Sequence, residues 1–112
     1  MEVRFEERAD ALVVAVAGSI DALNAEDLEQ AIEAKIAVGS VRIIADLSGV
    51  TFVSSTGLRA LLVAVKRSRT EGGDFRIAAA SGSVQQVLEL SGFTSILKTF
   101  ETVEQAVASF AE

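Results

Sequence analysis

Residues 46–62, Asp-Leu-Ser-Gly-Val-Thr-Phe-Val-Ser-Ser-Thr-Gly-Leu-Arg-Ala-Leu-Leu, constrain the fold more than any other part of this chain. They read as a buried strand ending at Asp46, a short loop, and then Ser54, Ser55, Thr56 and Gly57 opening an amphipathic helix. A strand that feeds a helix in this way is the repeating unit of α/β sheets. The arrangement also sets hydroxyls where a helix exposes unpaired N–H groups and the positive end of its dipole. Such a place suits a phosphate, either bound or covalently attached. With no base beside the hydroxyls, the cluster reads as a site that is modified rather than one that catalyses.

Composition narrows the chemistry further. The 112 residues suit a single domain spanning 1–112, half of them hydrophobic and 23% charged, a globular balance. Cysteine and histidine are both absent. Their absence excludes thiolate and imidazole metal sites, disulfides, cysteine nucleophiles and any Ser–His pair. Neither a metal nor a cofactor is expected, and the Gly-rich stretch and lysine of a P-loop are missing. The net charge of −6 disfavours nucleic acid as a partner. Arg59, Lys66, Arg67, Arg69 and Arg76 cluster in sequence, but no aromatic residues interleave for base stacking. The longest apolar run, Ala11 to Ala17, is too short to cross a bilayer. Charges at Glu2, Arg4, Glu6, Glu7 and Arg8 are unlike a signal peptide. The expectation is a cytoplasmic monomer without direct membrane insertion.

Periodicity supplies the element order. Met1 to Glu7 alternates as a half-exposed strand, and Ala11 to Ala17 follows as a second strand of a hairpin, ended by Gly18. Asn24, with Asp27 three residues on, resembles a capping box before the stripe Leu28, Ile32 and Ile36, which Gly39 closes. Val41 to Ala45 is a short buried strand. Leu58, Leu61, Leu62 and Val65 form the next helical stripe, which stops at residues 71–74. Phe75 to Ala80 is a strand, Ser81 or Ser83 caps a helix, Ile96 and Leu97 form an edge-like strand, and Thr102 with Gln105 begins a last helix. The order ββαβαβαβα predicts an α/β fold with a mixed, mostly parallel sheet of four or five strands and about four helices. Sites in such sheets lie at the strands' carboxyl ends. Residues 18–21, 46–56 and 80–83 are expected to meet there.

Residues 46–58 resemble the STAS domain signature, roughly D-x-S-x-V-x-F-[IV]-D-S-[ST]-G-[IL], of the family named for sulphate transporters and anti-sigma factor antagonists. Gly18-Ser-Ile-Asp21, with Asn24 opening the next helix, is similar to the family's G-x-[IL]-D-x-x-[TN]. Free-standing STAS domains of this length are usually anti-sigma factor antagonists in bacteria. The resemblance implies a phosphorylation-gated partner switch. The unphosphorylated domain binds an anti-sigma factor that is also a GHKL-type serine kinase, and so frees a sigma factor. The kinase phosphorylates a serine on the antagonist, and a metal-dependent Ser/Thr phosphatase resets it.

Aligned to the pattern, the phosphorylated residue is Ser55, with Ser54 and Thr56 as alternatives. This chain has Ser54 where the family usually has aspartate. The partner-facing set is Ser19, Asp21, Asn24, Ser54, Ser55, Thr56, Gly57 and Arg59, while Asp46, Ser48 and Gly49 are read as a structural loop. Each also has a plain structural role to weigh: helix capping for Ser54 and Ser55, a backbone bond before the helix for Asp21, and a solvated stem for Arg59. Three other functions compete. One is a non-covalent nucleotide or phosphate binder. Another is an aspartate-phosphorylated receiver, for which Gly18-Ser19 supplies no acidic pair. The third is an unphosphorylated scaffold subunit of a transporter or stress-signalling complex.

Overall fold

The computed structural model describes residues 1–111. The chain runs β1 (Glu2–Arg8), β2 (Ala11–Ile20), α1 (Ala25–Ala37), β3 (Arg42–Val53), α2 (Ser55–Thr70), β4 (Asp74–Ala78), α3 (Gly82–Leu90), α4 (Phe93–Ile96), β5 (Thr99–Phe100) and α5 (Val103–Phe110). The five strands form one sheet in the order β1-β2-β3-β4-β5. β1 pairs antiparallel with β2, and every other pairing is parallel. The mixed, mostly parallel sheet expected from the sequence is therefore present, with five helices rather than four.

Alternation along the strands divides the core between the two faces of the sheet. Leu12, Val14, Val16, Ile43, Ala45, Leu47, Phe75 and Ile77 pack in one cluster with Leu28, Ile32, Leu61 and Val65 of α1 and α2. On the other face Ala11, Val13, Ile44 and Ala78 pack with Ala106 of α5. Both long helices end in a tight left-handed turn. Gly39, at φ +100°, lets its own N–H reach Ile36 O and that of Ser40 reach Lys35 O, both at 3.0 Å. Gly72, at φ +90°, does the same after α2, with bonds to Arg69 O and from Gly73 N to Ser68 O.

Several boundaries differ from the sequence reading, and the largest difference shapes the site. β3 does not end at Asp46 but continues to Val53, and β2 passes through Gly18 to Ile20. Asp46, Ser48 and Gly49 are thus strand residues, not a loop. The register explains why they read otherwise. Ala15 pairs with Asp46 but Ala17 with Gly49, and Gly18 pairs with Val50 but Ser19 with Phe52, so β3 carries one extra residue at each step. These bulges turn Leu47, Val50 and Val53 toward the same core despite a spacing of three. At the first bulge the Asp46 carboxylate accepts the Ser48 N–H at 3.0 Å, while the Ser48 hydroxyl makes no bond among the described residues. A Cβ at Gly49 would lie 3.0 Å from Ala17 Cβ, so the strands approach closely there. The edge strand expected at Ile96–Leu97 is also displaced: Phe93–Ile96 is a helical turn, and the strand follows at Thr99–Phe100.

Two predictions follow from the packing. A Cβ at Gly73 would lie 1.8 Å from the Val41 carbonyl oxygen and 2.4 Å from its carbon, backbone atoms that cannot turn aside as a flexible side chain could. Gly73→Ala is expected to destabilise the fold by about 3 kcal/mol, read from the midpoint of urea unfolding. Half-buried Asp74 accepts hydrogen bonds from Arg69 Nε at 2.8 Å and Arg76 Nε at 3.1 Å. Burial works to raise its pKa, but the two arginine bonds and the Phe75 N–H together hold it below the ordinary 3.8. A lowered folded-state value means Asp74 stabilises the fold above pH 3.8 and loses that contribution as pH falls through the lowered value. Asp74→Asn should therefore unfold at lower urea than the parent at neutral pH, with the two midpoints converging in acid.

Candidate functional site

The site forms where β2 and β3 both turn into helices. Ser54 N–H donates to Ile20 O at 2.9 Å, joining the two strand ends. Ser54 is the N-cap of α2: its backbone is extended and its Oγ accepts the Gly57 N–H at 3.0 Å. Its hydroxyl is therefore engaged in holding the helix. Gly57, expected on the partner-facing surface, is instead buried beneath it. A Cβ there would lie 2.7 Å from Ile20 O, 2.9 Å from Ile20 Cγ2 and 3.1 Å from Val53 Cγ1. Close approach, not backbone conformation, requires glycine at this position.

Ser55 and Thr56 occupy the first turn of α2 and are exposed. Among the described residues neither hydroxyl has a protein hydrogen-bond partner. Arg59, one turn later, is exposed and makes neither ion pair nor hydrogen bond among the described residues. It lines a groove between α1 and α2 together with Thr56.

The β2–α1 loop forms the other wall of the site, and its own polar groups lock it. Asn24 was expected to cap α1, but its side chain makes no capping bond. Instead its Oδ1 accepts the Asp21 N–H and its Nδ2 donates to Ser19 O, both at 2.9 Å. Asp21 Oδ1 accepts the Leu23 N–H at 3.0 Å, and Asp21 O accepts from the N–H groups of Asn24 and Ala25. Ser19 and Asp21 are half-buried, and Ser19 lies opposite Phe52 in the sheet register.

Of the three segments expected to converge, the strand pairing joins two. β4 pairs with β3 only as far as Ala78 opposite Asp46. β3 then continues to Val53 beside β2 alone, so residues 80–83 leave the sheet well before Ser54 is reached. Asp46, Ser48 and Gly49 lie at that earlier level too.

Two residues of the site escaped the sequence reading. Leu23, in the loop, is 94% exposed, and Phe52, near the end of β3, is 54% exposed. Leu23 stands just before the N-cap, where an apolar residue ordinarily packs on Leu28 as a hydrophobic staple. Here it points to water. An apolar residue between Asp21 and Asn24 was the available signal. Phe52 is hidden in sequence because only the bulged register separates it from Val50 and Val53.

Comparison with known proteins agrees with this geometry. The STAS domain family model matches residues 2–106. BtrV of Bordetella bronchiseptica, whose name assigns it by inference to the anti-sigma factor antagonists, is 33% identical over 99 residues, 88% of this chain and 85% of that protein. RsfB of Mycobacterium tuberculosis, named an anti-sigma-F factor antagonist, is 28% identical over 95 residues, 85% of this chain and 77% of RsfB. The crystal structure of an anti-sigma factor antagonist from Mycobacterium paratuberculosis is similar with a TM-score of 0.90 at 29% identity, covering 99% of this chain and 94% of that one. On a match that spans nearly every element from β1 to α5, the chain belongs to the STAS domain family.

Proposed function

We propose that this chain is an anti-sigma factor antagonist whose docking is gated by phosphorylation of Ser55. The observation that carries the reading is the division of labour at the start of α2. Ser54 caps the helix, while the next hydroxyl is exposed and unbonded. A phosphate on Ser55 would therefore leave the cap in place. It adds about −1.5 to −2 charges at neutral pH. The N-terminus of α2 favours that charge by roughly 0.3–1 kcal/mol. At an interface the same dianion must lose its water, at a cost of several kcal/mol unless a cation meets it. A swing from 99:1 to 1:99 bound needs about 5.5 kcal/mol. The interface effect reaches that size and the effect on folding does not.

The partner in this reading is an anti-sigma factor that is also a GHKL-type serine kinase, with a metal-dependent Ser/Thr phosphatase to reverse the modification. The chain is then the substrate of two enzymes and not itself one. The setting is the cytoplasm, and among the described residues no helix is long and apolar enough to cross a membrane. The names of BtrV and RsfB support the role. Leu23 and Phe52, in the two segments that meet at the site, offer exposed apolar contact, and Arg59 offers a cation without an ion pair among the described residues.

Incubation with the kinase and ATP should add one phosphate to the peptide spanning Thr51 to Arg59, located by mass spectrometry. Ser55→Asp should abolish the kinase complex and Ser55→Ala preserve it, with the unfolding midpoint lowered in neither. Phosphate on Thr56 would move the switch by one residue, and no phosphate at all would leave an unphosphorylated scaffold. Leu23→Ala and Phe52→Ala should each weaken the complex by about 1–2 kcal/mol in isothermal titration. Leu23 is almost wholly in water, so Leu23→Ala should leave thermal unfolding unchanged, while Phe52→Ala, at a half-covered strand residue, should lower it only slightly.

A further inference from the structure

We propose that the furrow between α1 and α2 is a second docking surface, shaped for a basic amphipathic helix carried by a partner protein. The proposal rests on the switch reading only in taking the bearer of that helix to be the protein that docks at Ser55. The furrow exists because the facing residues are small. Ala25, Ala60 and Ala64 lie between the helices at 3–5% exposure. They let the helices meet near the sheet but leave the solvent side unfilled, an open groove of about 530 Å³. It begins at Ala22 in the preceding loop and follows α1 from Ala25 to Ile36, about 17 Å at 1.5 Å per residue. That length matches about three turns of a docked helix. An open groove with an apolar floor suits an occupant that keeps one face in water.

The charges on the walls specify the occupant. Glu33 is already neutralised: Arg67 Nε and Nη2, on one edge of the guanidinium, donate to its two carboxylate oxygens at 3.0 and 2.9 Å. Glu26 and Glu29, on the same wall, have no ion-pair partner among the described residues. They call for lysines or arginines on the docked helix. At the Ser55 end the lining is mixed, because Glu26 in the first turn of α1 and unpaired Arg59 stand there together, beside the N-termini of both helices. That end suits the negative, C-terminal end of the docked helix. A phosphate on Ser55 would add a like charge at the same place, so occupation of the furrow and the state of Ser55 are coupled.

The test uses the full ¹⁵N-labelled chain and a synthetic helical peptide of leucine and lysine, about 15 residues long, the furrow's three turns with about half a turn over at each end. A matching peptide with glutamate for lysine serves as control. The lysine peptide is expected to shift the amide resonances of Glu29, Ala60 and Val63, and to bind about tenfold more tightly than the glutamate peptide. The double variant Glu26→Lys, Glu29→Lys should reverse that preference while keeping the parent circular dichroism. Equal binding of both peptides, or shifts confined to other faces, overturns the proposal. Shifts at the same residues on raising protein concentration alone would assign the furrow to a second copy of the chain and also overturn it. Failure of phosphate transfer to Ser55 would remove the switch without touching this titration. A silent titration would remove the furrow without touching the switch.

Discussion

The Ile20 carbonyl is the point on which the geometry of the site depends. It accepts the Ser54 N–H at 2.9 Å, and the same oxygen lies so near Gly57 that a side chain there would collide with it. One acceptor therefore fixes both the end of β3 and the first turn of α2 against β2. On the other side of that carbonyl, Asp21 and Asn24 bond each other's segment and leave the loop little freedom. Ser55, Thr56, Phe52 and Leu23 are thus displayed from a frame that is already rigid. A surface held in this way gives up less conformational entropy when a partner covers it.

The fold was largely legible because its helices and outer strands obey simple periods. Leu28, Ile32 and Ile36 fall on one helical face, and all three are buried. Gly39 and Gly72 each stand where a helix must turn left-handed. Legibility failed along β3, where strand period two is broken twice. Leu47, Val50 and Val53 reach one core only because bulges at both steps reset the facing. Ser48-Gly49 then looks like a turn, although Gly49 is there because Ala17 presses on it. The same bulged strand carries β3 past β4, so residues 80–83, just beyond β4, stop short of the site. Within the site, the hydroxyl cluster was legible and the roles of its members were not. Capping by Ser54 depends on which residue begins the helix, and helix starts are ill-defined in sequence to within a residue or two.

The departure from the family pattern at Ser54 becomes intelligible in these terms. Serine and aspartate are comparable N-caps, so the exchange preserves the bond to Gly57 N and the start of α2. What it removes is a carboxylate next to Ser55. In the unmodified chain the mouth of α2 then carries no negative side chain of its own, and the first turn has none either. In the proposed switch the electrostatic contrast between the two states would be set by the phosphate alone, against the helix N-terminus and Arg59.

In the proposed switch, capping and modification would fall on adjacent residues, and that separation matters for reversibility. If one hydroxyl performed both tasks, adding phosphate would disturb the cap, and loss of a cap costs about 0.5–2 kcal/mol. The domain would then soften each time it was modified. With Ser54 holding the helix and Ser55 free, a phosphate on Ser55 would change the charge while the bonds to Ile20 and Gly57 persist. The surface offered to a partner would then be altered in charge, at one point, on an unaltered fold. The groove between α1 and α2 begins at that same point, through Thr56 and Arg59, so a partner lying along it would feel the change at its end rather than over its length.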